Sequence, residues 1–272
     1  MTSVDIELVV TDLDGTLWDV ASDLPERTRR AVARFTEEGI PLLVATGRRV
    51  GSTKGPLADF GFAPPAVVLN GALGLDLATG DRFHHGGFSA PDAAIVLEVF
   101  QSQGIDPCVY VDHDEYAVAV SSTPSSHPDH LAGFGADVRT DDLARVVQSE
   151  RVLGFSVLGI PETTAAALDA ALAGLATPHL DRDRYYGNFA LTAAPTSQSK
   201  WDGVVSFCAT HGLDADAVLV AGDGPNDVEM LEKAAIAVVP QDGHPRAQQL
   251  ADHVIGRAAD GGWADILDLL GH

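Results

Sequence analysis

Short apolar runs alternate with an amphipathic stretch over the first part of the chain. Residues 6–10, 40–45 and 66–69 are nearly continuous in apolar side chains, which is typical of strands buried on both faces. Residues 25–38 place apolar side chains at helical spacing, and Gly39 follows as a stop signal. Buried strands joined by helical segments predict an open parallel α/β sheet.

The C-terminal part of the chain repeats this alternation. Three segments are predicted to be helices, at residues 201–211, 227–234 and 263–270. Three short apolar runs are predicted to be strands, at residues 217–221, 236–239 and 253–255. We therefore expect both ends of the chain to contribute to one Rossmann-like sheet.

The middle of the chain follows a different pattern. Strand-like segments, several with alternating apolar and polar positions, lie at residues 108–111, 116–121, 152–158 and 189–192. Two helices are predicted, at residues 90–103 with Ser89 as N-cap and at residues 162–175. Strands this close in sequence favour antiparallel pairing. We expect an α+β module at residues 82–189, inserted into a core formed by residues 1–81 and 190–272.

Composition excludes several classes of protein. Of the 272 residues, 46% are apolar, but no uninterrupted run reaches the roughly 18 residues that a membrane span needs. The first residues lack the basic region of a secretory signal. Two isolated cysteines, Cys108 and Cys208, suit a reducing, cytoplasmic setting. A formal charge of −22 argues against nucleic acids and anionic membranes as partners. Oligomeric state is left open.

Two candidate segments follow the first two predicted strands. The loop after the first strand reads DLDGTL and carries Asp12 and Asp14, two carboxylates that can share one cation. An acidic turn is the alternative, while an EF-hand loop would need its glycine later. The second segment is Thr46-Gly47-Arg48, where a hydroxyl and backbone N–H groups can hold a phosphate oxygen. A helix N-cap is the alternative there.

Two further segments lie near the C-terminus. Lys200 is one of three lysines in the chain and would supply a cation beside the carboxylates, although a solvated surface lysine is the alternative. The loop GDGPND, with Asp223 and Asp227, begins at the end of a predicted strand. It is not a dinucleotide-binding loop, because Asp227 replaces the last glycine. Its acidic residues suggest a hard cation with oxygen ligands, with helix capping as the alternative.

Taken together, DxDGT, TGR, the late lysine and GDGxND resemble the four motifs of the haloacid dehalogenase superfamily. The resemblance covers nearly the whole chain, and Asn70-Gly71-Ala72 after the third strand supports it. The long insert between the second and third motifs looks like the C2-type cap of the Cof-type phosphatase branch. The resemblance implies a haloacid dehalogenase core with a cap, Mg²⁺ as cofactor and a small phosphorylated molecule as substrate.

The resemblance also implies residue roles. Asp12 becomes the nucleophile that forms an aspartyl phosphate, and Asp14 the acid and base that moves the proton. Thr46 and Lys200 hold the transferring phosphoryl group. The side chain of Asp12, the backbone carbonyl of Asp14 and the side chain of Asp223 are expected to hold the metal ion, with Asp227 assisting nearby. Further substrate-binding residues are expected at Gly47, Arg48, Asn70 and Asn226, with pairing to an acidic neighbour as the alternative for Arg48.

The insert is expected to close over the site and to read the leaving group. Its candidate reading residues are polar or aromatic side chains: His84, His85, His113, Arg184, Tyr185, Tyr186 and Asn188. For each of them a surface or structural role is the alternative. Trp18, just after the first motif, is expected to pack in the core.

The predicted activity is magnesium-dependent hydrolysis of a small phosphate monoester, such as a sugar phosphate. A phosphotransferase or phosphomutase of the same superfamily is a second hypothesis, because phosphorylated Asp12 could pass its group to another sugar. A non-catalytic sensor of phosphorylated metabolites is a third. The resemblance makes Asp14 a sign of phosphate ester hydrolysis. The sensor is disfavoured because it would not need to retain a nucleophile, and the chain has Asp12, Asp14, Lys200 and Asp223.

Overall fold

The computed structural model describes residues 5–19, 21–183, 186–196 and 198–271. Arg184 and Tyr185, two of the candidate reading residues, lie outside this set. The strands, in chain order, are β1 (Leu8–Thr11), β2 (Leu42–Ala45), β3 (Pro65–Val68), β4 (Leu73–Asp76), β5 (Arg82–His85), β6 (Cys108–Val111), β7 (Val118–Val120), β8 (Val138–Thr140), β9 (Val152–Ile160), β10 (Thr177–Arg182), β11 (Phe189–Ala194), β12 (Val218–Ala221), β13 (Ile236–Pro240) and β14 (His253–Ile255).

The α-helices of the same residues range from single turns to segments of 13 residues. They are α1 (Glu26–Glu38), α2 (Val50–Asp59), α3 (Ala90–Ser102), α4 (Pro128–Ala132), α5 (Leu143–Ser149), α6 (Glu162–Leu172), α7 (Lys200–His211), α8 (Val228–Lys233), α9 (Pro245–Gln248) and α10 (Asp265–Leu270). Within the described residues, no helix combines the length and the apolar character that crossing a bilayer requires.

The chain divides into two compact units. The first unit comprises Met1–His85 and Ser199–His272, and the second unit is Gly86–Gln198. The predicted insertion in an α/β core is therefore present, with shifted boundaries. The prediction that His84 and His85 belong to the insert is wrong, because they lie on β5 in the sheet of the first unit. The prediction that residues 190–194 belong to the core is also wrong, because β11 pairs with β9 and β10 in the second unit.

The first unit is built on an eight-stranded sheet of order β14-β13-β12-β1-β2-β3-β4-β5. The strands from β14 to β3 are parallel, as predicted, whereas β4 and β5 are added in antiparallel fashion. Residues of β1 and β12 are buried on both faces. Leu8 and Val10 belong to one core cluster with Trp201 and Phe207 of α7. On α1, Phe35 packs against Trp263, with 5.1 Å between ring centroids.

The order of the strands fixes where a ligand can bind. From β1 the chain continues to β2 on one side, while β12 pairs with β1 on the other side. In open α/β sheets, the crevice beside such a reversal lies at the carboxyl ends of the strands and holds the ligand. The loops after β1, β2, β3 and β12 all carry candidate site residues, and Lys200 is the first residue of α7.

The second unit has its own six-stranded sheet, of order β10-β11-β9-β6-β7-β8. Its pairs are antiparallel, as predicted, except that β7 and β8 are parallel. The core combines Phe155 of β9 with Phe100 of α3 and Leu168 of α6. The Ser89 side chain caps α3 by accepting from the Asp92 N–H, as the sequence predicts.

Candidate active site

The candidate residues of the first unit meet at one crevice. Asp12 directly follows β1, Thr46 follows β2 and Asp223 lies just beyond β12, so the parallel sheet brings their loops to the same edge. The cavity has a volume of about 290 Å³. Its lining residues are Asp12, Asp14, Thr46, Gly47, Arg48, Asp223, Gly224 and Asn226. Segments far apart in the chain thus form one polar site.

Lys200 forms the centre of a buried ion cluster. Its Nζ donates to Oδ1 of Asp12 at 2.6 Å and to Oδ1 of Asp227 at 2.7 Å. The side chains of Lys200 and Asp227 are fully buried, and that of Asp12 is 8% exposed. Lys200 is the first residue of α7, which Ser199 and Asp202 begin with a capping box. A surface role for this lysine is therefore ruled out.

Asp227 organises the loop that carries Asp223. Its Oδ2 accepts from the backbone N–H groups of Asp223 at 3.0 Å and Gly224 at 2.9 Å. With Lys200 on Oδ1, both of its oxygens are engaged by protein donors. Asp223 in turn accepts from the Thr16 hydroxyl at 3.1 Å. Asp227 therefore acts mainly on its neighbours, while Asp12 and Asp223 are better placed to bind a cation.

The site contains more negative than positive charge. One carboxylate oxygen from each of Asp12, Asp223 and Asp227 lies within 4.8 Å of the other two. Burial raises the pKa of Asp12 to about 8, because desolvation and the neighbouring carboxylates outweigh Lys200. Burial likewise raises the pKa of Asp223 to about 6, with Asp227 adding to the effect. For Lys200, burial acts to lower the pKa, but Asp12 and Asp227 together raise it.

These oxygens fit a divalent cation. Three carboxylates and one ammonium group leave a formal excess of two negative charges. Oxygen donors from carboxylates are the ligands that Mg²⁺ prefers in proteins. The described acidic cluster does not include the Asp14 side chain. The sequence-based expectation for Asp14 concerned its backbone carbonyl, and it stays a prediction.

The loop after β2 brings Arg48 to Asp14. Arg48 Nε donates to Asp14 Oδ2 at 2.6 Å, and its Nη2 pairs with Asp14 Oδ1. The Thr46 hydroxyl accepts from the Arg48 backbone N–H at 3.2 Å, so its own proton remains available for a ligand. Of the two roles open to Arg48 from the sequence, contact with an acidic neighbour is the one that the structure contains.

The loop after β3 is a strained turn. Leu69 and Asn70 have φ values of 50° and 54°, and Gly71 has a φ of 103°. Positive φ at a leucine is uncommon and costs about 1–3 kcal/mol. The N–H groups of Leu69 and Asn70 donate to the carbonyls of Arg48 and Thr46. These bonds tie the turn to the Thr46 loop, and the Asn70 side chain accepts from Asn226 Nδ2 at 3.1 Å.

His84 supports this turn from β5. Its Nε2 donates to the Gly71 carbonyl at 2.9 Å, and its Nδ1 lies 2.8 Å from the Ser206 hydroxyl on α7. Burial lowers the pKa of His84. Gly71 also packs against the start of α7, where a Cβ atom would overlap the Ser199 carbonyl oxygen. The turn therefore fixes the helix end that carries Lys200.

The structure brings the predicted site residues together in the first unit. Asp12, Lys200 and Asp227 are in direct contact, and Asn70 and Asn226 contact each other. The contacts of Thr16, Trp18, Ser22 and His84 were not predicted from the motifs alone. Thr16 lies within the DxDGT motif, which is a signal that could have identified it. Trp18 packs in the core, as predicted, and is fully buried.

Carboxylates, a buried lysine and a threonine at neighbouring ends of a Rossmann-like sheet form the framework that the motif resemblance predicts. A profile of the family described as haloacid dehalogenase-like hydrolase matches residues 9–267. The chain therefore belongs to the haloacid dehalogenase-like hydrolases, and the predicted membership is confirmed.

Individual relatives agree with this assignment. Protein YkrA of Bacillus subtilis strain 168 is 25% identical over 273 residues, which cover 98% of this chain and 99% of YkrA. A phosphoglycolate phosphatase of Methanopyrus kandleri is 23% identical over 248 residues, with 91% and 90% coverage. The structure of TM0651 from Thermotoga maritima matches with a TM-score of 0.79 at 18% identity, covering 97% of each chain. The predicted fold, an α/β core with an inserted α+β unit, is confirmed.

Proposed function

We propose that this protein hydrolyses a phosphate monoester of a small metabolite, such as a sugar phosphate, through a phosphorylated Asp12. The observation that carries the proposal is the buried contact of Lys200 with Asp12 and Asp227. Taking three ions out of water costs several kcal/mol each, and pairing offsets that cost only in part, so the cluster is better explained by chemistry than by stability. Here it adjoins an open crevice lined by further carboxylates.

In the first half of the reaction, a carboxylate oxygen of Asp12 forms a bond to phosphorus while the ester P–O bond breaks. The leaving alkoxide takes its proton from Asp14. Lys200 and the Thr46 hydroxyl stabilise the negative charge on the phosphoryl oxygens. Asp12 and Asp223 would hold Mg²⁺, which, when bound, neutralises charge between nucleophile and phosphate.

In the second half, a water molecule attacks phosphorus and gives its proton to Asp14. The bond between phosphorus and Asp12 breaks, inorganic phosphate leaves, and Asp14 is again ready to donate a proton. The two transfers need two carboxylates with different roles, one that bonds to phosphorus and one that moves protons. This explains why two carboxylates with different surroundings follow the same strand. Asp12 is almost fully buried, whereas the Asp14 side chain is 40% exposed.

Support for a small phosphorylated substrate comes from two sides. The crevice of about 290 Å³ suits a phosphate group with a few further atoms. One relative is a phosphoglycolate phosphatase, which by its name acts on a small phosphate ester. That the second unit reads the leaving group stays a prediction, with His113, Tyr186 and Asn188 as its described candidates.

The experiment measures phosphate release from p-nitrophenyl phosphate and from a panel of phosphorylated sugars, polyols and cofactors. We expect activity with Mg²⁺, its loss in EDTA and its return when Mg²⁺ is added in excess. Activity that chelation leaves unchanged would contradict the metal assignment. Phosphoryl transfer to a second sugar without phosphate release would instead favour the phosphotransferase hypothesis, and binding without turnover would favour the sensor.

A further inference from the structure

Three N–H donors hold the carboxylate of Asp14. Arg48 donates from Nε to Oδ2 at 2.6 Å and pairs through Nη2 with Oδ1. The indole Nε1 of Trp18 donates to the same Oδ1 at 3.1 Å. Both carboxylate oxygens are thus engaged. Such bidentate contact fixes the plane of a carboxylate as well as its position.

Arg48 is itself held in place by several segments. Its Nη2 donates to the Ser22 hydroxyl at 2.7 Å, and its Nη1 donates to the Ser52 carbonyl at 3.2 Å. The guanidinium carbon lies 4.9 Å from the centre of the Trp18 ring, a distance typical of a cation–π contact. Only 21% of the Arg48 side chain is exposed. This arrangement differs from a flexible surface ion pair, whose contribution is small.

The contacts also limit what else Arg48 can do. Four of its five guanidinium N–H groups already donate to protein oxygens, so among the described contacts a single N–H on Nη1 is left for a phosphate unless an existing bond breaks. Asp14, in contrast, lines the crevice beside Asp12 and retains substantial exposure. The guanidinium therefore acts on the orientation of Asp14 before it can act on a substrate.

We propose that Arg48 and Trp18 are positioning residues that aim the Asp14 carboxyl group at the leaving-group oxygen. This inference rests on the proposed function, because it acts through Asp14. For the protons to balance, Asp14 enters this step as a protonated carboxyl: the proton on Oδ2 takes the place of the bond from Arg48 Nε, while Oδ1 still accepts from Arg48 Nη2 and Trp18. Asp14 gives that proton to the leaving oxygen as the ester P–O bond breaks and the bond from Asp12 to phosphorus forms, and the resulting carboxylate again accepts from both Arg48 nitrogens. The chain thus devotes a tryptophan and an arginine from different loops to orienting one side chain.

The test compares two esters of similar shape. The leaving group of p-nitrophenyl phosphate is a stable anion, whereas that of phenyl phosphate depends more on receiving a proton. The measured quantity is kcat/KM, which reports transfer to Asp12. Asp14→Asn sets the scale, with an expected loss on the order of 100-fold for phenyl phosphate and a clearly smaller loss for p-nitrophenyl phosphate.

Arg48→Ala should follow the same pattern, with a loss on the order of tenfold for phenyl phosphate and less for the nitro ester. Arg48→Lys and Trp18→Phe, which keep most of the side-chain bulk, should lie between Arg48→Ala and wild type. The double variant Asp14→Asn/Arg48→Ala should lose no more than Asp14→Asn alone, within about threefold. Arg30→Ala is the matched control, because that side chain is 75% exposed and pairs only with Glu26 among the described ion pairs.

Equal losses for both esters would show that Arg48 acts on the substrate directly and would overturn the inference. So would losses that multiply in the double variant. The two conservative variants keep the test decisive if Arg48→Ala does not fold. Failure of the proposed function has a separate signature: wild type then releases phosphate from neither ester, or Asp12→Asn remains active.

Discussion

The two units of the molecule bury different chemistry. In the first unit, the buried polar side chains include Asp12, Lys200 and Asp227, three ionisable groups in direct contact. In the described part of the second unit, they are Ser126 and Ser156, two small hydroxyl groups. Burying a paired ion still costs several kcal/mol, whereas a hydrogen-bonded hydroxyl costs little. The contrast indicates that charge is buried where the proposed reaction needs it, and that the second unit is stabilised by ordinary apolar packing.

The largest expected effect is on Asp12. Asp12→Asn removes the proposed nucleophile while Lys200 keeps its contact with Asp227, so the fold should persist by circular dichroism. Hydrolysis of p-nitrophenyl phosphate should fall by at least about 10⁴-fold. Asp59→Asn, at an exposed position, serves as control and should retain activity. Turnover of Asp12→Asn near the wild-type rate would show that the buried ions of the first unit are not needed for the reaction, and would contradict the proposed difference between the units.

Replacement of Lys200 tests the energetics of the buried cluster. Lys200→Met leaves two buried carboxylates without their cation, so we expect the free energy of unfolding to fall by about 3–5 kcal/mol, measured by urea in EDTA. Activity should be lost as well. Lys233→Met is the matched control: that lysine is 46% exposed and pairs with Glu229 on the same helix. Its removal should cost less than about 0.5 kcal/mol. Similar costs for the two variants would contradict the account.

Gly71 links backbone strain to the active site. Gly71→Ala adds a Cβ atom that overlaps the Ser199 carbonyl oxygen and should displace the start of α7. We expect a loss of about 2–5 kcal/mol in unfolding free energy and a lower kcat. Gly80→Ala is the control that measures the cost of a positive φ without a steric clash, because Gly80 has a φ of +85° and nothing lies within 4 Å of its added Cβ. It should cost about 1 kcal/mol and leave kcat unchanged. Equal effects would show that contact with α7 is unimportant.

The smallest effect is expected in the second unit. Ser156→Ala removes a buried hydroxyl that donates to Tyr110 Oη at 3.1 Å. The loss should be about 1 kcal/mol in unfolding free energy. The activity toward p-nitrophenyl phosphate should stay within about twofold of wild type, since the removed bond is a single neutral contact. A large loss of activity would show that this core is coupled to the reaction and that the two units are less distinct than proposed.

The sequence predicted the strands that are buried on both faces, because their apolar runs are too short for buried helices and are bounded by turn residues. It missed β5 and β10, whose residues are largely polar or partly exposed and show no apolar alternation. β10 also contains a proline. It also missed α2, which contains Gly55 and Pro56, residues that normally break helices. The observed domain boundaries differ from the predicted ones because β5 and β11 each belong to the sheet with which they pair. Strand pairing is not visible in the local pattern of apolar and polar residues.

The candidate site was predicted to a similar extent. The resemblance of the ordered motifs to the superfamily was sufficient to choose Asp12, Lys200 and Asp223. The parallel strands explain why the loops of Asp12 and Asp223 meet at one edge of the sheet. The motifs did not predict which side chains contact each other. The pairing of Arg48 with Asp14 depends on rotamers and on Trp18 beneath the guanidinium. The support of Gly71 by His84 depends on an edge strand that the pattern did not reveal.

The proposed function depends on Asp12 carrying the phosphoryl group during turnover. The most direct measurement is acid quenching of the enzyme within its first turnover of p-nitrophenyl phosphate, followed by peptide mass spectrometry. We expect one phosphoryl group on the peptide that contains Asp12, assigned to that residue by fragmentation and absent in Asp12→Asn. A phosphoryl group on another side chain, or rapid turnover in which no phosphorylated peptide forms, would contradict it.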